Sequence, residues 1–424
     1  MTDPSSQNPA PGAEADLKRE IETRRAAALA RPELFAGARV PYSRRGEMAV
    51  PAFKADPKAP GDKEAARASS LKLMAGPIRF KPDLFLYDLE DAAPDNPEFR
   101  PWAREFIVEA LTTLPFPKGQ LRSFRPNDIR TDAFEEDILH VLRGAGRFVD
   151  VIIVPKCLYA ADVADIQEIV RWARRAFAIE HKIWLEVLIE EASAFLEAER
   201  IAALEDVGAL LFGALDFSGS ISGRVTPETW MEDTTHARQA LPVIAAAHGK
   251  HAIDAVTSFL PITPRNTTGL EEETFRRFCA MSAEAAAEAG APPELTVQME
   301  QRERAVALVR RDAENARRIG YAGKWILHPG QVEPVQNAWT PEREEALRVL
   351  RMVAEYARSA ERGSGAEVVT GSVELADKAV IRSKFWDLHH AVRAGRIGEA
   401  DIAATGYTWE QLQRTARTRD EGSG

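Results

Sequence analysis

Short apolar runs recur along the chain and alternate with longer stretches whose hydrophobic residues follow helical spacing. Runs that are apolar on both faces are typical of buried parallel strands. The stretches between them, such as 101–114, 160–178 and 235–248, have the pattern of amphipathic helices. Eight runs have this character, at residues 48–50, 84–88, 121–124, 149–154, 183–189, 209–212, 252–256 and 325–327.

This alternation of strands and helices predicts a (β/α)₈ barrel, the TIM barrel. The alternative is an open, doubly wound sheet. The chain lacks the Gly-x-Gly-x-x-Gly turn that opens dinucleotide-binding sheets, which weighs against the dinucleotide version of that alternative. We therefore predict an α/β fold, a TIM barrel with a helical C-terminal extension.

Composition breaks divide the chain into three predicted parts. Residues 1–37 form a polar tail and a surface helix, and residues 38–340 form the barrel. Two intervals in the barrel are longer than a βα connection needs, near residues 53–80 and 257–322, and we interpret both as insertions. Residues 341–424 form a helical C-terminal segment.

Charge and cysteine usage exclude several classes of protein. The net charge of −10 makes nonspecific binding of nucleic acid unfavourable. Two cysteines, Cys157 and Cys279, cannot build a disulfide framework or a cysteine-rich zinc site. No apolar stretch reaches the length of a membrane span, and the amino terminus lacks the pattern of a signal peptide. We predict a cytoplasmic protein with no nucleic-acid or membrane partner.

Two acidic residues, Glu190 and Asp216, each end an apolar run. The residues between them suffice for a crossover helix, and strands joined by such a helix are parallel. Both carboxylates are then expected at the same carboxyl-terminal edge of the sheet, where α/β folds place their chemistry. Carboxylates with no basic neighbour in sequence favour a hard divalent cation, Mg²⁺ or alternatively Mn²⁺.

Polar residues also follow other predicted strands. An arginine at a strand end can clamp a substrate carboxylate through two parallel hydrogen bonds. Converging polar groups at successive strand ends are how a barrel builds an active site. The candidates are Glu90 and Asp91 after the second strand, Arg125 and Asn127 after the third, Lys156 after the fourth and Pro329 after the eighth.

Seven motifs in order give the chain a family resemblance over roughly residues 44–360. It resembles the citrate lyase β-subunit-like branch of the HpcH/HpaI aldolases, which includes the malyl-CoA lyases. The motifs are Arg45-Gly-Glu-Met-Ala-Val-Pro51, Leu86-Tyr-Asp-Leu-Glu-Asp-Ala92, Arg125-Pro-Asn127, Val154-Pro-Lys156, Leu188-Ile-Glu190, Phe212-Gly-Ala-Leu-Asp216, and Gly323-Lys-Trp-Ile-Leu-His-Pro329 with Gln331.

The resemblance implies a TIM barrel that makes or breaks the carbon–carbon bond between an acyl-CoA enolate and a 2-oxo acid. It implies that Glu190 and Asp216 bind Mg²⁺ and that Arg125 holds the carboxylate of the oxo acid. It also places the segment from Arg45 near bound coenzyme A. The resemblance further implies a homo-oligomer, a trimer or hexamer, in which the C-terminal segment of one subunit closes the site of its neighbour.

The chain departs from the family pattern at two places. Thr370 stands where the lid of a malyl-CoA lyase carries its acid/base aspartate, and a threonine hydroxyl is not a general base at neutral pH. Glu374 or Asp377 are alternatives from a shifted register. The family's Val-Pro-Gly turn is here Val50-Pro51-Ala52.

The predicted function is that of a Mg²⁺-dependent carbon–carbon lyase, or the reverse condensation. Its substrate is a 3-hydroxyacyl-CoA ester such as malyl-CoA or citramalyl-CoA, and its products are an acyl-CoA and a 2-oxo acid. A CoA-independent 2-oxo acid aldolase, a malyl-CoA thioesterase and a non-catalytic binding homologue stay open. The predicted roles are catalytic for Arg125, Glu90, Asp91 and Lys156, substrate-binding for Arg125, Arg45, Asn127 and Pro329, and metal-binding for Glu190 and Asp216.

Overall fold

The computed structural model of the protein describes residues 44–91, 96–224, 234–363, 366–368 and 375–416, with residues 19 and 22. Eight parallel strands close into a barrel in chain order, which confirms the predicted TIM barrel. The strands are β1 Gly46–Pro51, β2 Leu84–Asp88, β3 Leu121–Arg125, β4 Val151–Val154, β5 Trp184–Ile189, β6 Val207–Phe212, β7 His251–Asp254 and β8 Gly323–Ile326.

Along each strand, successive side chains alternate between the inside of the barrel and the surrounding helices. Inward residues such as Leu84, Leu86 and Trp325 form a buried core of their own, while outward residues such as Phe85 and Tyr87 join a larger core with the helices. Because both faces of every strand are buried, each strand appears in the sequence as a continuous apolar run.

Helices connect the strands. The bounds are α1 Lys63–Ala75, α2 Arg100–Thr113, α3 Phe134–Ala145, α4 Ala160–Ala176, α5 Ala192–Leu196, α6 Ala198–Ala202, α7 Ala214–Ser220, α8 Thr235–Ala247, α9 Glu272–Cys279, α10 Ala283–Glu288, α11 Pro293–Arg318 and α12 Val332–Trp339. The first predicted insertion contains α1 and a 3₁₀ turn, Gly76–Phe80.

The second predicted insertion contains α9, α10 and α11. A small core of its own, which includes Phe278, Leu295 and Met299, holds α9 and α10 against the first half of α11. The second half of α11 joins the main core through Val309 and Ala313. One long helix therefore ties the insertion to the barrel.

A balanced ionic network fixes the connection between β7 and β8. Lys324 donates to Asp254 (2.7 Å) and forms an ion pair with Asp312 (2.7 Å), and Arg238 pairs with the same two carboxylates at 2.7 and 2.8 Å. All four side chains are buried. Because each cation faces both anions, this network carries no net charge.

A second charge cluster lies inside the barrel near its amino-terminal end, and its described residues carry more acids than cations. Arg44 forms ion pairs with Glu47 of β1 and Glu186 of β5, and all three side chains are buried. Burial raises the pKa of both carboxyls, against the lowering effect of Arg44. One cation between two buried acids favours a state in which one acid keeps its proton.

The described residues from 341 onward belong to a second compact unit. It consists of α13 Arg343–Glu361, a two-stranded antiparallel sheet (β9 Ala366–Val368, β10 Leu375–Asp377), α14 Lys378–Arg393, α15 Glu399–Ala403 and α16 Trp409–Ala416. Its core includes Val349, Val353, Ile381 and Leu388. Within the described ranges, no helix of either unit is long and apolar enough to cross a membrane.

The unbalanced cluster predicts a pH dependence of stability. A carboxyl group whose pKa is higher in the folded than in the unfolded protein stabilises the fold at pH values below its unfolded pKa. This contribution to stability is lost as the pH rises through its folded pKa. Glu47→Gln leaves Arg44 and Glu186 as a matched pair. We expect the thermal midpoint of this variant to rise relative to wild type between pH 5 and pH 9, with the exposed Glu98→Gln as control. A constant difference across that range would contradict the shared-proton arrangement.

Candidate functional site

The carboxyl ends of β2 to β5 bring most of the predicted site residues together. Strand alternation turns Asp88, Arg125 and Glu190 into the mouth of the barrel, because each lies an even number of residues beyond an inward-facing core residue. Asp88 and Arg125 are direct partners in the β2–β3 register. We call this end of the barrel the carboxyl edge.

Arg125 is the central cation of the carboxyl edge. Its Nε and Nη2 atoms donate to the two oxygens of Asp88 at 2.8 and 2.6 Å. Its Nη1 atom faces Glu90 at 3.0 Å and Asp91 at 3.6 Å. The guanidinium lies 5.3 Å from the ring centre of Trp325. Asp88 thus fixes one edge of the fork, and the remaining nitrogen points toward the site.

Lys156 connects two parts of the carboxyl edge. Its backbone N–H donates to Oε1 of Glu190 at 2.7 Å, and its Nζ atom pairs with Glu90 and, at 2.7 Å, with Asp91. Its φ of 48° is in the left-handed region, which costs a non-glycine residue free energy. Burial lowers the pKa of the amine, but Asp91 and Glu90 raise it by more. The amine therefore stays protonated, which excludes Schiff-base chemistry at neutral pH.

The two acids beside Lys156 differ in their protonation. Burial raises the pKa of Glu90 in spite of the opposing charges of Arg125 and Lys156. Burial also acts to raise the pKa of Asp91, but the hydrogen bond from Lys156 and the charge of Arg125 outweigh it, and that pKa is lowered. Glu90 is therefore the acid of this pair that is better suited to exchange a proton.

Glu190 is a buried carboxylate with one engaged oxygen. The residue is 2% exposed. Among the described residues, Lys156 alone donates a hydrogen bond to it, through Oε1. A Cβ atom on Gly213 would lie 2.9 Å from Oε2, so glycine is needed there to leave room for the carboxylate. Burial raises the pKa of Glu190 to about 8, Arg125 and Lys156 act against this, and Asp216 and Glu90 add to it.

The position of Asp216 differs from the prediction. β6 ends at Phe212, and Asp216 lies in the first turn of α7 rather than at the end of the strand. The side chain is exposed. Its charge still raises the pKa of Glu190. A helix starts directly after Gly213, and its first residues are also apolar. The apolar run in the sequence therefore extends past the end of β6, and Asp216 was predicted to end the strand.

The donor set of Glu190 and Asp216 fits a magnesium ion. Both supply hard carboxylate oxygens, and Oε2 of Glu190 is uncommitted within the described part of the chain. No three His, Cys, Asp or Glu side chains of the described residues are grouped to hold a metal by themselves. Mg²⁺ usually takes one or two carboxylates and completes its shell with water and substrate oxygens. A two-carboxylate site is therefore chemically adequate.

The structure does not bring Arg45 to the carboxyl edge. Arg45 precedes β1, at the amino-terminal end of the barrel, and it binds Asp83 through Nε (2.9 Å) and Nη2 (2.8 Å) and Thr340 through Nη1 (2.8 Å). Asn127 follows β3, but its amide donates to Asp137 of α3 at 2.6 Å. The predicted substrate contacts of these two residues have no support in this geometry.

Pro329 lines a cavity of about 680 Å³ beside β1 and β8, which we call the basic cavity. Four cations line it, and its lining contains no acidic residue among those described. None of the four forms an ion pair within the described ranges. They are Lys54, Lys72 and Arg79 from the first insertion and Arg302 from α11.

The basic cavity reaches the carboxyl edge. Pro51, which lines it, is the register partner of Asp88, and the N–H of Ala52 donates to the Asp88 carbonyl at 2.9 Å. Neighbouring strands lie about 4.8 Å apart. A ligand in the cavity can thus extend to Arg125. The sequence does not predict this cavity, because its lining comes from segments that are far apart in the chain, such as the first insertion, α11 and the turn after β8.

The candidate lid residues Thr370 and Glu374 lie outside the described residues. Asp377 caps α14 by accepting from the N–H of Val380 at 2.9 Å. His328 has a structural contact, because its Nδ1 accepts from the N–H of Gly330 at 3.1 Å. Cys157 is buried, and burial raises the pKa of its thiol, which is unfavourable for a nucleophile.

The backbone of Lys156 gives a test of this geometry. Lys156→Asn and Lys156→Val both remove the amine, but only asparagine tolerates the left-handed conformation. We expect the valine variant to be less stable than the asparagine variant by about 1–2 kcal/mol. Urea denaturation measures this difference. Equal stabilities would contradict the strained backbone that holds Glu190.

The chain is similar in sequence to known proteins. Residues 66–263 match the family model described as HpcH/HpaI aldolase/citrate lyase. An L-malyl-CoA/β-methylmalyl-CoA lyase of Cereibacter sphaeroides is 27% identical over 317 residues, which cover 71% of this chain and 84% of the relative. These descriptions agree with the predicted enzyme class, a carbon–carbon lyase.

Solved structures share the fold. A citrate lyase from Burkholderia xenovorans aligns with a TM-score of 0.60 at 20% identity, over 87% of this chain and 98% of that one. The protein CitE of Mycobacterium tuberculosis, in complex with magnesium, acetoacetate and coenzyme A, aligns with a TM-score of 0.51 at 19% identity, over 82% and 98%. Through residues 66–263, the barrel of this chain is similar to the HpcH/HpaI aldolase/citrate lyase family.

Proposed function

We propose that the protein is a Mg²⁺-dependent carbon–carbon lyase, or catalyses the reverse condensation, on a 3-hydroxyacyl-CoA ester such as malyl-CoA or citramalyl-CoA. The products are an acyl-CoA and a 2-oxo acid. The observation that carries the proposal is the buried Glu190 carboxylate, with an uncommitted oxygen, beside Arg125 and next to the basic cavity.

The relatives support this choice of reaction. One is a malyl-CoA/β-methylmalyl-CoA lyase, and a structure with the same fold contains magnesium, acetoacetate and coenzyme A. In this chain, Glu190 and Asp216 would hold the magnesium ion. When bound, Mg²⁺ supplies Lewis-acid polarisation of a substrate carbonyl and a template for its carboxylate.

Arg125 is placed to bind and orient the carboxylate of the 2-oxo acid. Asp88 fixes its Nε and Nη2 atoms, so the remaining Nη1 atom has a set direction. That atom now faces Glu90 and Asp91, and the substrate carboxylate takes their place as its partner. Fixing the guanidinium beforehand lowers the entropic cost of orienting the substrate.

Glu90 is the residue of this site that is best suited to proton transfer. Cleavage requires removal of a proton from the 3-hydroxyl group and delivery of one to the α-carbon of the enolate that leaves. Burial brings the pKa of Glu90 closer to neutral, which favours exchange in both directions. Lys156 holds Oε1 of Glu90 in position, and Oε2 becomes available when the substrate carboxylate replaces it at Arg125.

The basic cavity suits the coenzyme A portion of the substrate. Its volume of about 680 Å³ is within the usual range of small-molecule sites. Its four cations, which form no ion pair with the described residues, offer countercharges for phosphate groups, and Leu73, Phe80 and Pro77 offer apolar contacts. This cavity favours a CoA ester over the substrate of a CoA-independent aldolase.

Homo-oligomer formation and a cytoplasmic location remain predictions.

The direct experiment is a product assay on the full chain. Malyl-CoA and citramalyl-CoA are incubated with the protein and Mg²⁺, and acetyl-CoA with glyoxylate or pyruvate is measured by mass spectrometry. We expect stoichiometric acyl-CoA and 2-oxo acid, abolished by EDTA and restored by Mg²⁺. Release of free coenzyme A with intact malate would instead identify a thioesterase, and tight binding without product a non-catalytic homologue; either result contradicts the proposal.

The metal ligands give a second prediction. Asp216→Ala removes one of two donors, and we expect cleavage to fall by about 100-fold or more and Mg²⁺ affinity in titration calorimetry to fall with it. The neighbouring acid Glu191, changed to Gln, is the matched control and should retain activity. Full turnover by Asp216→Ala would refute its assignment as a ligand.

A further inference from the structure

Lys156 is held in its left-handed conformation from three directions. Its backbone N–H donates to Oε1 of Glu190 at 2.7 Å, and its Nζ atom pairs with Asp91 at 2.7 Å and with Glu90. Its backbone carbonyl accepts a hydrogen bond from Nη2 of Arg130 at 3.0 Å, which we call the carbonyl contact. The proposed function uses the first two interactions and leaves the carbonyl contact without a role.

Arg130 reaches Lys156 from a different loop of the barrel. Residues 126–133 connect β3 to α3, whereas Lys156 lies between β4 and α4. Asp128 fixes the arginine on its own loop, because it accepts from the Arg130 backbone N–H at 2.9 Å and both of its oxygens lie 3.0 Å from Nε. The N–H and hydroxyl of Thr131 donate to the Asp128 carbonyl at 2.9 and 2.7 Å. The guanidinium is therefore held in position before it meets the neighbouring loop.

The carbonyl contact matters because the φ of Lys156 is 48°. A non-glycine residue is strained in this region, and it stays there only when the surrounding contacts hold it. Because φ and ψ alone relate the N–H of a residue to its C=O, holding the carbonyl restricts the direction of the N–H. Among the described residues, that N–H is the single hydrogen-bond donor to the buried Glu190 carboxylate. Release of the carbonyl would let Lys156 turn its N–H away from Glu190.

We propose that Arg130 is a positioning residue of the metal site and acts through the backbone of Lys156. In this role it contacts neither substrate nor metal. It holds the Lys156 peptide so that Oε1 of Glu190 stays engaged and Oε2 stays available to the ion. The inference rests on the proposed function and adds to it a control of the Glu190 ligand from the loop after β3.

The exposure of Arg130 separates this role from a general contribution to stability. Its side chain is 48% exposed, and its ion pair with Asp128 is at the surface. Surface ion pairs contribute little to the stability of a fold. Loss of the guanidinium should therefore leave the barrel folded and change the Lys156 backbone locally.

Hydrogen exchange of the full chain without metal tests the carbonyl contact. The Lys156 amide is protected by its hydrogen bond to Glu190. In Arg130→Ala we expect this amide to exchange about fivefold faster, the effect of losing a hydrogen bond of ordinary strength. The thermal midpoint and the exchange of the barrel strands should stay as in wild type. Arg130→Lys should restore part of the protection, because an ammonium group can still donate to the carbonyl.

Titration calorimetry with Mg²⁺ tests the consequence for the metal site. We expect Arg130→Ala to bind Mg²⁺ about fivefold more weakly than wild type, and Arg130→Lys to lie between the two. Arg276→Ala is the matched control. Arg276 is also an exposed arginine paired with a carboxylate of its own segment, Glu272 at 2.8 Å, and it donates to no other segment within the described ranges. Its loss should change neither the exchange of the Lys156 amide nor the Mg²⁺ affinity.

Unchanged exchange of the Lys156 amide in Arg130→Ala would overturn the inference, and so would faster exchange with unchanged Mg²⁺ affinity. Equal effects in Arg276→Ala would also overturn it, because they would follow from the loss of any surface arginine. These three results leave the proposed function intact. Failure of wild type to bind Mg²⁺ would count against the proposed function itself and, with it, against a metal site for Arg130 to position.

Discussion

The site depends on the burial of a negative charge at the mouth of the barrel. Glu190 is almost fully buried, and the one hydrogen bond it receives from the described residues comes from the backbone of Lys156. Isolated buried carboxylates are costly and are stabilised by protons, cations or hydrogen bonds. The nearby charges of Asp216 and Glu90 increase this cost. A divalent cation at this point would remove the cost and position a substrate.

The carboxyl edge differs in its charge balance from the ionic network between β7 and β8. The network of Arg238, Lys324, Asp254 and Asp312 pairs two buried cations with two buried anions, so it is complete without a ligand. At the carboxyl edge, carboxylates outnumber cations, whereas the basic cavity has unpaired cations and no acid among its described lining residues. The excess of negative charge at the carboxyl edge and the excess of positive charge in the basic cavity lie next to each other. Together they suit a ligand with an anionic coenzyme part and a reacting part that is bound through a metal ion.

The barrel and much of the site could be predicted from the sequence. Doubly buried strands appear as continuous apolar runs, and residues at or just after their ends, such as Arg125, Lys156 and Glu190, converge because parallel strands end at one edge. Asp216 was predicted at the end of a strand, but it lies in the first turn of α7, because the helix starts where the apolar run continues. Arg45 was carried over from a motif, although its place before β1 puts it at the opposite end.

The basic cavity could not be predicted because it is a property of the tertiary structure. Lys72 and Arg302 are far apart in sequence, and each is on a helix whose charges are ordinary for a solvated face. Only the packing of α11 against the turn after β8 brings Arg302 to the same cavity as Pro329. Local patterns report which side of a helix is buried, but they do not report which other segment it will face.

A crystal structure of the full chain soaked with Mn²⁺ in place of Mg²⁺, with anomalous scattering recorded at the manganese edge, is the most direct measurement. The account predicts one strong peak in contact with carboxylate oxygens of both Glu190 and Asp216, and next to Arg125. A peak at another site, or clear density for Glu190 bound to a protein cation with no manganese beside it, would contradict the account.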